Sequence, residues 1–182
     1  MTEQTQPSKG NYKKFIAMIA VSMIFMYFLT YLNSYDILGH AWFSETRLFM
    51  TLIMGSVMMV VMLAFMGKKY NNRKANIGIV VVAVLMFVSA LWLVRSQTTV
   101  SGVDYMEAMI PHHSIAILTS ERARIKDLRV RQLADQIIET QYKEIKEMEW
   151  LIKDIRANGA ATTQQEVEAR PLPTFSGTQN QE

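Results

Sequence analysis

Hydrophobic and polar positions alternate along this chain on two different scales. Three uninterrupted apolar runs, Phe15–Leu32, Leu48–Met66 and Ile77–Val94, contain no charged residue, and each is long enough as a helix to cross a hydrocarbon core of about 30 Å. Beyond Arg95 the runs give way to three-and-four spacing. In the clearest stretch Val130, Leu133/Ala134, Ile137/Ile138, Ile145, Met148, Leu151/Ile152 and Ile155 form one helical stripe, and Asn158-Gly159 supplies its stop. A preceding helix is expected from near Val103 to about Arg124. Asp104 followed by Glu107 reads there as an acidic capping box, with Ser101-Gly102 just before it. The expected architecture is all-α: a three-helix transmembrane anchor followed by a two-helix hairpin.

The division of the chain follows. Residues 1–11 form an N-terminal segment and 12–97 the anchor, with spans at 15–32, 48–66 and 77–94. Residues 98–159 form the hairpin domain, and 160–182, rich in Thr, Gln and Pro and without apolar period, are expected to be disordered. A signal peptide is disfavoured for the first run, since the bulky sequence after it (Tyr31, Tyr35, Ile37, Leu38) offers no small-x-small cleavage site. Tyr27, Tyr31, Tyr35 and Trp42 fit an interfacial aromatic belt.

Charge adds orientation. The net charge of +3 conceals an asymmetry: residues 1–100 carry a balance of +6 and residues 101–182 a balance of −3. Lys9, Lys13 and Lys14 precede the first span, and Lys68, Lys69, Arg73 and Lys74 lie between the second and third; the other side has only Arg47 and Arg95. The positive-inside rule then places the N-terminus in the cytoplasm and the hairpin on the outer face, in the periplasm or outside the cell, with a bacterial inner membrane as the expected location. The acidic balance of the hairpin domain argues against nucleic acid.

The helical stripes have polar interruptions. Gln141 and Glu144 stand on or beside the face of the second helix, and on the first the series Met106, Met109/Ile110, His113, Ala116/Ile117 is broken by an imidazole. Burial of such groups is costly unless they are paired or bind something. Pro111 inside the first helix frees the carbonyl of Glu107 and is expected to kink the helix at His112 and His113. Met109, three and four residues before the histidines, shares their side. The chain has 14 Met and no Cys, which excludes thiolate catalysis, zinc fingers and iron–sulfur clusters.

The segment Asp104-Tyr105-Met106-Glu107-Ala108-Met109-Ile110-Pro111-His112-His113-Ser114, followed by Gln141-x-x-Glu144-Ile145-x-x-Met148-x-Trp150-Leu151, resembles the bacterial family called domain of unknown function 305 over residues 102–155. The resemblance implies a ferritin-like helical hairpin and, as in some members, binding of copper or silver by Met and His in the cell envelope. Carried over by position, the ligand candidates are Met109, His112, His113 and Met148, with Met106 nearby. The outer domain has few further methionines, which favours a single site over high capacity.

Chemistry points the same way. Thioether and imidazole suit Cu(I), whereas oxygen ligands suit Mg, Ca or Mn, and methionine is not lost to disulfide formation in an oxidising compartment. Gln141 and Glu144 fit as partners that accept the free ring N–H of a ligating histidine. Proton competition is expected to weaken binding below a pH of about 6.5. His40 and Asp36, in the outer loop, and Met50, at the outer end of the second span, are auxiliary candidates. Met50, Met54, Met58, Met62 and Met66 recur every fourth residue, a ribbon rising about 24 Å that ordinary helix packing also explains.

Enzyme chemistry finds no support: no Glu precedes either histidine by three residues as a di-iron centre requires, and no nucleophile motif or phosphate loop is present. Two helices alone cannot bury both stripes, so pairing of two hairpins into a four-helix bundle, a homodimer or higher oligomer, is expected. The expected function is a membrane-anchored protein that binds a soft metal ion for sequestration, tolerance or handover. The alternative is a structural or interaction module in which the hairpin mediates assembly.

Overall fold

The computed structural model describes residues 11–178 and is all-helical. In chain order the helices are α1 Tyr12–Leu29, α2 Glu45–Phe65, α3 Arg73–Ser96, α4 Gly102–Arg122, α5 Leu128–Asn158 and the short α6 Gln164–Ala169. The chain divides into two compact units. One comprises residues up to Thr30 together with Thr46–Thr99; the other comprises Tyr31–Glu45 together with the chain from Val100 onward.

In the first unit α1, α2 and α3 are long and apolar enough to cross a membrane. Most of their apolar side chains point outward; Phe28, Phe65 and Leu85, for example, are exposed. Water is a poor solvent for such a surface, and lipid a good one. What the helices do bury is a cluster of Phe15, Ile19, Leu63 and Tyr70, against which Met23, Met58, Met59, Met62 and Met66 pack. Gly55 allows close approach of Met23, whose sulfur would lie 2.4 Å from a Cβ there and would have to shift. Asn11 and Asn72 cap α1 and α3, each accepting a backbone N–H at 3.2 Å. The Tyr12 hydroxyl lies 2.8 Å from Asn76 Oδ1, which closes the start of α1 onto the start of α3.

In the second unit α4 and α5 pack antiparallel as a hairpin around Met106, Ile110 and Ile117 on one side and Tyr142, Ile145, Met148 and Ile152 on the other. The capping box of α4 lies three residues earlier than the sequence suggested. Ser101 is the N-cap: Asp104 N–H donates to its hydroxyl (3.3 Å), and Ser101 N–H donates to Asp104 Oδ2 (3.0 Å). Glu107 is freed from capping and instead buried, ion-paired with Arg156 of α5. The helix runs through Pro111 without a break. Asp127 caps α5, and Gly159, with φ of 81°, ends it in the left-handed region that glycine tolerates.

Two boundaries differ from expectation. Residues 31–45, assigned to the anchor by sequence, group with the hairpin. Of the aromatic side chains expected to form a lipid-facing belt, Tyr31 is buried and donates its hydroxyl to the Trp42 carbonyl (2.8 Å), while Tyr35 and Trp42 pack against the hairpin core. The tail is not featureless either. Thr163 and Glu166 form a capping box for α6, Arg170 pairs with Asp154 at 2.7 Å, and Lys146 donates to the carbonyls of Ser176 and Thr178. Polar tethers hold 160–178, which is why apolar periodicity could not reveal it. Residues 1–10 and 179–182, which belong to segments read from the sequence as an N-terminal arm and the end of the tail, lie outside the described residues.

Candidate metal centre on the hairpin

The candidate residues meet where α4 and α5 face each other near mid-hairpin. His113 follows Pro111 by two positions on α4, and its side chain is only 13% exposed. Its Nδ1 lies 3.3 Å from Glu144 Oε2 on α5, off the line of an aligned hydrogen bond, so the contact is electrostatic. Gln141, one turn earlier on α5, donates its Nε2–H to the same carboxylate oxygen at 3.2 Å. The His113, Glu144 and Gln141 side chains, predicted to work together, are thus in one chain of contacts.

Electrostatics fix the protonation state. Burial pushes the His113 imidazole below its ordinary value; Glu144 pulls it partly back up, and neighbouring His112 pushes it down. His113 is therefore neutral at pH 7 and keeps a lone pair on one ring nitrogen. His112 is exposed, and the two imidazole centroids are 6.2 Å apart with planes tilted by 55°.

The thioethers separate. Met106 and Met148 are buried in the apolar core at 7% and 8% exposure, while Met109 is half-buried at its margin, one helical turn before His113. Packing accounts for the first two; Met109 also packs against the core but keeps part of its surface exposed. Met50 is exposed on α2 in the other unit.

Asp36 and His40 do other work. Asp36 Oδ1 accepts the N–H groups of Leu38 (3.0 Å) and Gly39 (2.8 Å), closing a turn. His40 Nδ1 lies 2.9 Å from the Ser114 hydroxyl, which also accepts the Tyr35 N–H at 2.7 Å. Ser114 is fully buried and is the residue that sequence reasoning missed. Its signal was available, since it shares the buried face of Ile110 and Ile117. Among the described residues no group of three or more His, Asp or Glu side chains is arranged to hold a metal ion.

Fold and site together define an all-helical protein that joins three helices of membrane-spanning length to a hairpin with a histidine–carboxylate pair at its seam. Residues 102–181 match the family described as domain of unknown function (DUF305). An uncharacterized protein of Acanthamoeba polyphaga mimivirus is 30% identical over 145 residues, covering 76% of this chain and 93% of that relative. This chain belongs to the DUF305 family. No solved structure matches it significantly.

Proposed function

We propose that this is a membrane-anchored, envelope-facing metal-binding protein that takes Cu(I) through His113, His112 and Met109 for sequestration, tolerance or handover. The observation that carries the reading is the 3.3 Å approach of His113 Nδ1 to Glu144. The negative charge beside Nδ1 favours a proton on that nitrogen, and so the tautomer whose other nitrogen keeps its lone pair for a metal; Gln141 donates to the same carboxylate. A neutral imidazole and a thioether one turn apart make a soft donor set that favours Cu(I) over Mg or Ca. The role is binding rather than catalysis.

Charge supports an orientation with the N-terminus cytoplasmic and the hairpin on the opposite face. Val130, Leu133 and Ile137 remain exposed on α5, and pairing with a second hairpin to form a four-helix, ferritin-like bundle would bury them. The burial of Met106 and Met148 favours a second reading, in which the hairpin serves assembly alone and its sulfur is packing. Competition for Cu(I) against a chromophoric chelator, with the full chain in detergent, separates the two. The metal-binding reading expects one tightly held ion per chain that is lost in His112→Ala/His113→Ala, whereas equal, weak uptake by both proteins would refute it.

A further inference from the structure

Residues 31–45 have two faces. One clasps the hairpin, with Tyr35 N–H and His40 Nδ1 both on the Ser114 hydroxyl. Between those two clasps the chain turns outward at Asp36-Ile37-Leu38-Gly39. Asp36 Oδ1 accepts the N–H groups of Leu38 and Gly39, and the His40 N–H donates to the Asp36 carbonyl at 3.3 Å. Gly39 is needed for this closure, because a Cβ there would lie 2.4 Å from Asp36 Oδ2. The result is a fixed turn that projects Ile37, 45% exposed, and Leu38, 90% exposed, away from the protein.

We propose that the Ile37–Leu38 tip of loop 31–45 is a lipid-inserting wedge. The inference rests on the membrane reading of α1 and α2, and three observations favour lipid as the occupant. The loop is covalently joined at both ends to helices of spanning length, and Arg47 ties its ends by donating to the Thr30 carbonyl at 2.6 Å, so the tip stays within reach of the bilayer face. The backbone N–H groups of Leu38, Gly39 and His40 are already satisfied within the turn, which lowers the cost of moving them out of water. The two projecting side chains are large and aliphatic, suited to the acyl boundary.

The absence of cysteine permits a clean test. Leu38→Cys and, as a span reference, Leu85→Cys on α3 are each labelled with nitrobenzoxadiazole in the full chain and reconstituted into phosphatidylcholine vesicles. Both positions are exposed, so neither substitution disturbs packing. The wedge predicts that spin-labelled lipid quenches both labels and that aqueous iodide quenches neither strongly. Lipid quenching at Leu85 with iodide quenching at Leu38 would overturn the wedge alone. Failure of lipid quenching at both positions would overturn the membrane reading and the wedge with it. A Leu38 label shielded from both quenchers and self-quenched until diluted with unlabelled protein would assign the tip to a second copy, and would equally overturn the wedge.

Discussion

The Nδ1 of His113 lies 3.3 Å from the carboxylate of Glu144 across the α4–α5 seam, and this approach works against burial in setting the charge of the imidazole. Glu144 opposes the larger effect of burial, which holds the imidazole below its ordinary value. Glu144→Gln should therefore lower the His113 pKa further, measurable by NMR titration of the ring carbon protons, and should weaken Cu(I) binding by about 10–100-fold.

The same shift makes the hairpin sensitive to acid. The folded value of His113 lies below its unfolded value of about 6.5, so the unfolded chain binds the proton more readily and stability is lost as pH falls through that window. Urea unfolding of the metal-free protein should show a declining midpoint as pH falls below about 6.5, and His113→Asn should flatten the decline.

Glu107 is 8% exposed and depends on Arg156, itself half-exposed, for its charge partner. Arg156→Ala should strand the carboxylate and cost about 1–3 kcal/mol of hairpin stability. It would also remove the guanidinium that lies 5.7 Å from the Trp42 ring centre. Replacing both partners, Glu107→Leu with Arg156→Leu, should recover part of the loss in thermal unfolding, because no buried charge is left unpaired.

Ser114 is the shared partner that fastens the loop to α4, accepting the Tyr35 N–H and lying within hydrogen-bond distance of His40 Nδ1. Ser114→Ala should leave the Tyr35 N–H without its partner at a cost of about 1–3 kcal/mol. Amide exchange should accelerate in residues 31–45 more than in α5, a pattern readable by mass spectrometry.

The methionine ladder is packing where it can be placed: Met58, Met62 and Met66 lie against the Phe15–Leu63 cluster. Met58→Leu/Met62→Leu should cost less than about 1.5 kcal/mol and leave the Cu(I) affinity of the full chain unchanged, by the same chelator competition.

What the sequence made legible was set by periodicity. Uninterrupted apolar runs and a three-and-four stripe mark helices directly, so α1, α2, α3 and α5 emerge close to their observed bounds. The polar gaps at His113, Gln141 and Glu144 are legible for the same reason, and the structure brings these three into contact. Contacts without a period were hidden. Asp104 could cap from either side, and only the fold shows Ser101 as its partner. Loop 31–45 carries no helical pattern, and it docks through Tyr35 and Trp42 against the hairpin core and through the buried Ser114 hydroxyl, 74 residues from His40. The tail is held by Arg170 and Lys146 through polar contacts that leave no trace in hydropathy.

The central claim is that imidazole and thioether of α4 together hold Cu(I). X-ray absorption at the copper edge of the Cu(I)-loaded full chain tests it most directly. The account predicts nitrogen and sulfur scatterers in the first shell, with the sulfur lost in Met109→Leu and retained in Met148→Leu. A shell of oxygen and nitrogen alone, unchanged by Met109→Leu, would contradict it.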